Sequence, residues 1–101
     1  MEIYLGKYLY SKSRAAPAEY TIVIEQTRRT IAKIVCAMVN HPNDVSVEFT
    51  VNEWNVEMLV RVRAEDRGQV IGRQGRLADS LRVVLSAIGQ KQRVSYTLNI
   101  D

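Results

Sequence analysis

The sequence predicts a two-layer α+β domain, one three-stranded mixed sheet with every helix on the same face. Three observations carry this. Val45, Val47, Phe49 and Val51 alternate with polar residues, and the same period-two pattern returns at Val56, Met58, Val60 and Val62 and at Val94, Tyr96, Leu98 and Ile100. Before and between these runs, apolar residues recur at three-and-four spacing, as in helices with one buried stripe. Each element therefore has a single apolar side, and helices stacked on one face of a sheet bury all of them.

Residues 1–20 form an extension with a different texture, holding four of the five tyrosines: Tyr4, Tyr8, Tyr10 and Tyr20. The alternation of Ile3, Leu5 and Leu9 is broken at Lys7, and Ser11 to Pro17 looks like a linker. Two readings stand side by side: a flexible tail, or a segment that covers the sheet edge or pairs with another chain. The domain proper is expected over residues 21–101. A helix from about Thr21 to Asn40 places Ile24, Ile31, Ile34, Val35, Met38 and Val39 inward, with Arg28, Arg29 and Lys33 on the other side. It must stop near His41, because Pro42 disfavours helical geometry in the residue before it. His41, the only histidine, has no nucleophile near it in sequence and reads as a turn residue.

The first two strands form a hairpin through Asn52-Glu53-Trp54-Asn55. Trp54 reads as a cover for the hairpin end or as a base-stacking aromatic. Glu65 and Asp66 open a short helix, where a carboxylate can cap free N–H groups. A longer helix follows the glycine-rich stretch, with Leu77, Leu81, Val84, Leu85 and Ile88 as its core stripe and Gly89 as its C-terminal cap. The second and third strands are joined through helices, so they should be parallel neighbours, which puts the 56–63 strand in the centre.

Composition limits the chemistry. Fourteen Lys and Arg against eleven Asp and Glu give a net charge of +3, with a sequence pI near 9.2. That balance leans toward nucleic acid without deciding it. One cysteine, Cys36, excludes an internal disulfide and a cysteine-rich zinc site, and points to a reducing compartment. No run of about 18 apolar residues suggests a membrane span. The N-terminus has no secretory pattern, so a cytoplasmic location is expected. No Ser/His/Asp or Cys/His set is available for catalysis, and no metal or cofactor is expected.

The organising stretch is Gly68-Gln69-Val70-Ile71-Gly72-Arg73-Gln74-Gly75-Arg76. It lacks the Gly-Lys-Ser/Thr ending of a nucleoside-triphosphate loop. Its glycine spacing is also wrong for a dinucleotide fingerprint. What remains is a Gly-x-x-Gly turn between two helices, where glycines let the backbone approach a ligand and a helix N-terminus favours an anion. From Arg61 to Arg82 six basic residues face three acidic ones, at 65, 66 and 79.

Val70-Ile71-Gly72-Arg73-Gln74-Gly75 resembles the signature of KH domains, whose loop clamps about four nucleotides of a single strand. The order helix-strand-strand-helix-helix-strand resembles the type II arrangement. More narrowly, Asn40-His41-Pro42-Asn43-Asp44-Val45 and the run from Glu65 to Ala78 are similar to small single-KH proteins of bacteria, the KhpA (YlqC) family. The similarity covers roughly residues 24–101 and leaves the first twenty without a counterpart. The broad KH signature has an aliphatic residue where Ala78 stands, with Leu77 one position earlier.

The resemblance implies that Gly72 and Gly75 shape the clamp, that the backbone at Arg73 and Gln74 meets phosphates, and that Arg73 and Arg76 add charge. It implies that Val70 and Ile71 help form an apolar groove for bases, with the strand near Val94 to Tyr96 as the other wall. It further implies a single-stranded RNA-binding protein acting as an RNA chaperone or post-transcriptional regulator, a homodimer, and a larger Jag-type (KhpB) partner. The alternative is a dimerisation or adaptor module with a vestigial clamp.

Overall fold

The computed structural model describes residues 8–10, 18–53 and 55–101. The elements are β1 (Tyr8–Tyr10), α1 (Ala18–Cys36), β2 (Ser46–Asn52), β3 (Asn55–Arg61), α2 (Arg67–Ile71), α3 (Arg76–Gln92) and β4 (Ser95–Ile100). Trp54 and the Ser11–Pro17 stretch lie outside the described residues.

β3 is the centre of the expected mixed sheet, antiparallel to β2 and parallel to β4. Val51 pairs with Val56, Phe49 with Met58 and Val47 with Val60, so one register stacks the apolar side chains of β2 and β3 on the same face. Val56 and Met58 continue that alignment into Tyr96 and Leu98 of β4. The helices cover this face. The core gathers Ile24, Ile31 and Val35 from α1, the inward residues of the sheet, Val70 from α2, and Leu81 and Leu85 from α3. Thr50, Asn52, Glu57 and Thr97 stand exposed on the opposite face.

The sheet also has a fourth strand. β1 runs parallel to β2 with Tyr8 opposite Phe49 and Tyr10 opposite Val51, so this part of the extension lies along the β2 edge. Three residues are too few for any periodicity to announce them.

Three expectations need correction. Helix α1 ends at Cys36 rather than near Asn40: its last turn tightens, with the Met38 N–H donating to the Val35 carbonyl. The backbone at Asn40 and His41 is engaged elsewhere, as described below. Arg28 is not on a solvent side. It is 1% exposed, its guanidinium fork held by the Glu25 carboxylate, with 2.8 Å from Nε to Oε1. Arg29 bonds the same carboxylate from outside. The Arg28 hydrogen bond is the largest influence on Glu25; with the Arg29 contact and the two positive charges it outweighs partial burial and lowers the Glu25 pKa.

The third correction concerns α3. Its buried residues are Ala78, Leu81, Leu85 and Gly89, whereas Leu77 and Val84 are exposed. The helix is rolled so that Gly89 meets the start of β4. At Gly89 a Cβ would lie 2.3 Å from the Val94 carbonyl oxygen and 3.2 Å from the Tyr96 ring. Gly89 is therefore a close-packing residue inside the helix. The left-handed cap is Arg93, at φ 63°, whose N–H returns to the Gly89 carbonyl.

Candidate nucleic-acid interface

The glycine loop joins α2 to α3 through backbone shapes that only certain residues adopt. Gly72 sits at φ 81°, ψ 174°, a region open almost exclusively to glycine. A Cβ there would also stand 2.8 Å from the backbone nitrogen and the Cβ of Leu77. Gly75 is left-handed at φ 76°, ψ 12°, with open space where a Cβ would point. Between them Gln74 is left-handed too, at φ 57°, ψ 28°, which costs a residue with a Cβ roughly 1–2 kcal/mol. Two short bonds hold the turn: Gly72 N–H to the Gly68 carbonyl at 2.9 Å, and Gly75 N–H to the Gly72 carbonyl at 3.2 Å.

Helix α3 begins directly after this turn, and its N-cap, Gly75, has no side chain to accept a hydrogen bond. The positive end of a 17-residue helix therefore opens at the loop with no capping side chain, and its first-turn acid, Asp79, is held by Arg82. Arg73, Gln74 and Arg76 are exposed around it.

The six arginines counted in sequence divide into two groups. Arg61 pairs with Glu48 and Asp101, Arg63 with Asp44 and Glu65, and Arg82 with Asp79. Arg67, Arg73 and Arg76 have no carboxylate partner among the described residues. Of these six, the uncompensated charges are the ones at the loop and the start of α2.

Asp66 does not cap α2 with its side chain. It is fully buried, and its carboxylate accepts from the Asn40 N–H at 3.3 Å and from the His41 N–H and Nδ1, each at 3.0 Å. Residues at the root of the loop and in the turn after α1 are locked together this way. Burial pulls the Asp66 pKa upward, but the His41 side chain, the two backbone donors and the histidine charge outweigh it, leaving the carboxyl below its usual range. His41, read from sequence as an idle turn residue, is a structural partner.

Val70 is fully buried in the core, so it supports the loop from beneath and offers no surface to a base. Ile71 is half-buried. The loop residues are contiguous around one turn; the Asp66 latch went unforeseen because its partners lie 25 and 26 residues away, and the Gly89 contact because it depends on how β4 folds back on α3. Among the described residues no group of three His, Cys, Asp or Glu could hold a metal ion, and no helix is long and apolar enough to cross a membrane.

A Gly-x-x-Gly turn between two helices, set in an α-β-β-α-α-β sandwich, defines a KH domain of the type II arrangement. The chain belongs to the KhpA/KhpB KH-domain family, which it matches over residues 28–100. It is 36% identical over 78 residues to the RNA-binding protein KhpA of Treponema pallidum, covering 77% of this chain and 98% of that one. The KhpA of Clostridium acetobutylicum is 34% identical over 77 residues, 76% of this chain and 99% of that protein. That of Listeria monocytogenes is 36% identical over 70 residues, 69% and 92% respectively. These relatives are matched over nearly their whole length, and between 23% and 31% of this chain has no counterpart in the matched stretches.

Proposed function

We propose that this protein binds single-stranded RNA in the cytoplasm, gripping the sugar-phosphate backbone at Gly72, Arg73, Gln74 and Gly75. The observation that carries the reading is the conjunction at one point of the glycine backbone geometry, the start of α3 without a side-chain cap and the arginines without acidic partners among the described residues. The names of the relatives support it. In this reading the loop backbone approaches a phosphate, Arg73 and Arg76 neutralise charge, Gln74 donates to phosphate or sugar, and Ile71 borders the bases while Val70 holds the loop's root. Two arginine-neutralised phosphates would give a shallow salt dependence, with log K falling by about 1.4 per tenfold increase in salt. Affinity would be modest. The protein then acts as an RNA chaperone or post-transcriptional regulator, as a homodimer or with a Jag-type (KhpB) protein.

A second reading, an adaptor or dimerisation module with a vestigial clamp, is favoured by the apolar side chains that α3 turns outward, Val83 at 68% exposure with Leu77 and Val84 beside it. One double variant separates the two. Arg73→Asp with Gln74→Asp places two negative charges where a phosphate would sit and leaves the core alone. Loss of RNA binding at unchanged melting temperature is expected. Equal binding by both forms, or no binding by the wild type at low salt, leaves the adaptor reading in its place.

A further inference from the structure

β4 is the outer strand of the sheet, and its backbone alternates between β3 and open space. The Asp101 N–H donates to the Val60 carbonyl and the Val62 N–H donates to the Asp101 carbonyl, so odd-numbered positions here face β3. Leu98, of opposite parity, therefore points its carbonyl away from the sheet. That carbonyl is taken by Arg82 of α3, whose Nε donates to it at 3.1 Å. The Arg82 Nη1 donates to the Asp79 carboxylate at 3.0 Å. One guanidinium thus spans the gap between α3 and the free edge of β4.

Two anchors fix the plane of this group and leave much of it unused. A guanidinium carries five N–H donors, and these contacts occupy two. The fork made by Nη1 and Nη2 still presents one donor from each nitrogen, and the side chain remains 47% exposed. Gly75, Asp79 and Arg82 share one face of α3 at i, i+4 and i+7. Arg82 lies about 10 Å along the helix from the loop, inside the span of the roughly four nucleotides that such a loop holds. One turn further, Ser86, Gln90, Arg93, Ser95 and Tyr96 line an open depression of about 350 Å³, which leaves room beside the strand edge.

We infer that Arg82 is a specificity-determining residue of this groove, a pre-positioned fork that selects a base with two adjacent hydrogen-bond acceptors. The inference rests on the RNA-binding reading above. Guanine offers such a pair through O6 and N7. Cytosine offers O2 and N3 on the edge that a single strand leaves open, whereas adenine and uracil interpose a donor. Because Asp79 and the Leu98 carbonyl already hold the guanidinium, little side-chain freedom is lost on binding. Lysine would keep the charge and lose the fork.

The experiment measures binding of short uridine oligonucleotides carrying one central A, C or G to four forms: wild type, Arg82→Gln, Arg82→Lys, and the Arg73→Asp, Gln74→Asp variant. The wild type should prefer the G or the C oligonucleotide over the A one by roughly tenfold, the usual scale of a bidentate pair. Both Arg82 variants should lose that preference while still binding the all-uridine strand, and the loop variant should lose all binding. In wild-type protein, the NMR signal of the Arg82 Nε–H should move with the preferred oligonucleotide and not with the A one, a readout independent of how well the variants fold. A preference that survives in either Arg82 variant, or an equal loss across all four strands, overturns the inference and leaves RNA binding intact. Wild-type binding without base preference does the same. Failure of the wild type to bind any strand overturns both.

Discussion

The two ends of α3 are built to opposite specifications. At its start, Gly72 and Gly75 are used for their backbone angles, the helix has no side-chain cap, and the neighbouring Arg73 and Arg76 have no acidic partner among the described residues. At its end, Gly89 has ordinary helical geometry and is used for its lack of a Cβ, which lets the Val94 carbonyl approach. That end is also tied by polar contacts: the Thr27 hydroxyl accepts from Gln92 Nε2 at 3.0 Å, and the Tyr96 hydroxyl donates to Gln92 Oε1 at 2.6 Å. The same residue type serves access at one end and adhesion at the other. The close packing lies at the end of the helix away from the proposed RNA clamp.

The comparison can be broken most forcefully at Gly89. Alanine there gains about 1 kcal/mol in helix propensity. Its Cβ would meet a backbone oxygen at 2.3 Å, and overpacking of this kind typically costs about 1–3 kcal/mol. The clash wins, so Gly89→Ala should lower the unfolding free energy and Gly89→Leu should prevent folding, both read by denaturant titration. The next effect concerns Asp66, at the root of the loop. Its folded-state pKa is lowered, so its contribution is complete above the ordinary carboxylate range near pH 4 and disappears as pH falls through the lower folded value. Wild-type melting temperature should therefore drop on acidification below about pH 4. Asp66→Asn should be less stable at neutral pH and should show a flatter acid limb.

A smaller loss, about 1 kcal/mol, is expected for Tyr96→Phe, which removes one donor from the Thr27–Gln92 cluster and leaves the ring in place. Smallest of all is the stability effect of Arg73→Asp with Gln74→Asp, near zero by calorimetry, because both side chains are exposed. If that variant melted well below the wild type, the loop would be part of the scaffold and the contrast between the two ends would dissolve.

The elements were legible because each strand and helix announces itself through the period of its own apolar residues. β2, β3 and β4 fall within two residues of the expected runs, and the short helix, glycine turn and long helix appear in the expected order. What periodicity could not supply were roles set by particular partners. Arg28 looks like a surface residue until Glu25 and the core close over it. Asp66 looks like a helix cap because the turn after α1, some 25 residues away in sequence, is invisible from its neighbours. Gly89 looks like a helix end because Gly near the last apolar position usually is one, and only the approach of β4 assigns it to packing. The loop itself was recognisable, since Gly-x-x-Gly is a local pattern. Which arginines around it are free depended on where Glu48, Asp44 and Asp79 come to lie.

The two loop glycines also differ in what sequence drift can do to them. Gly75 is left-handed with empty space beyond its Cα, a position that asparagine or aspartate can occupy at modest cost. Gly72 combines a backbone shape closed to other residues with Leu77 pressed against the missing Cβ. Among related chains that keep this loop shape, the second glycine has a low-cost route to asparagine and the first has none, so the pattern should erode from its C-terminal side.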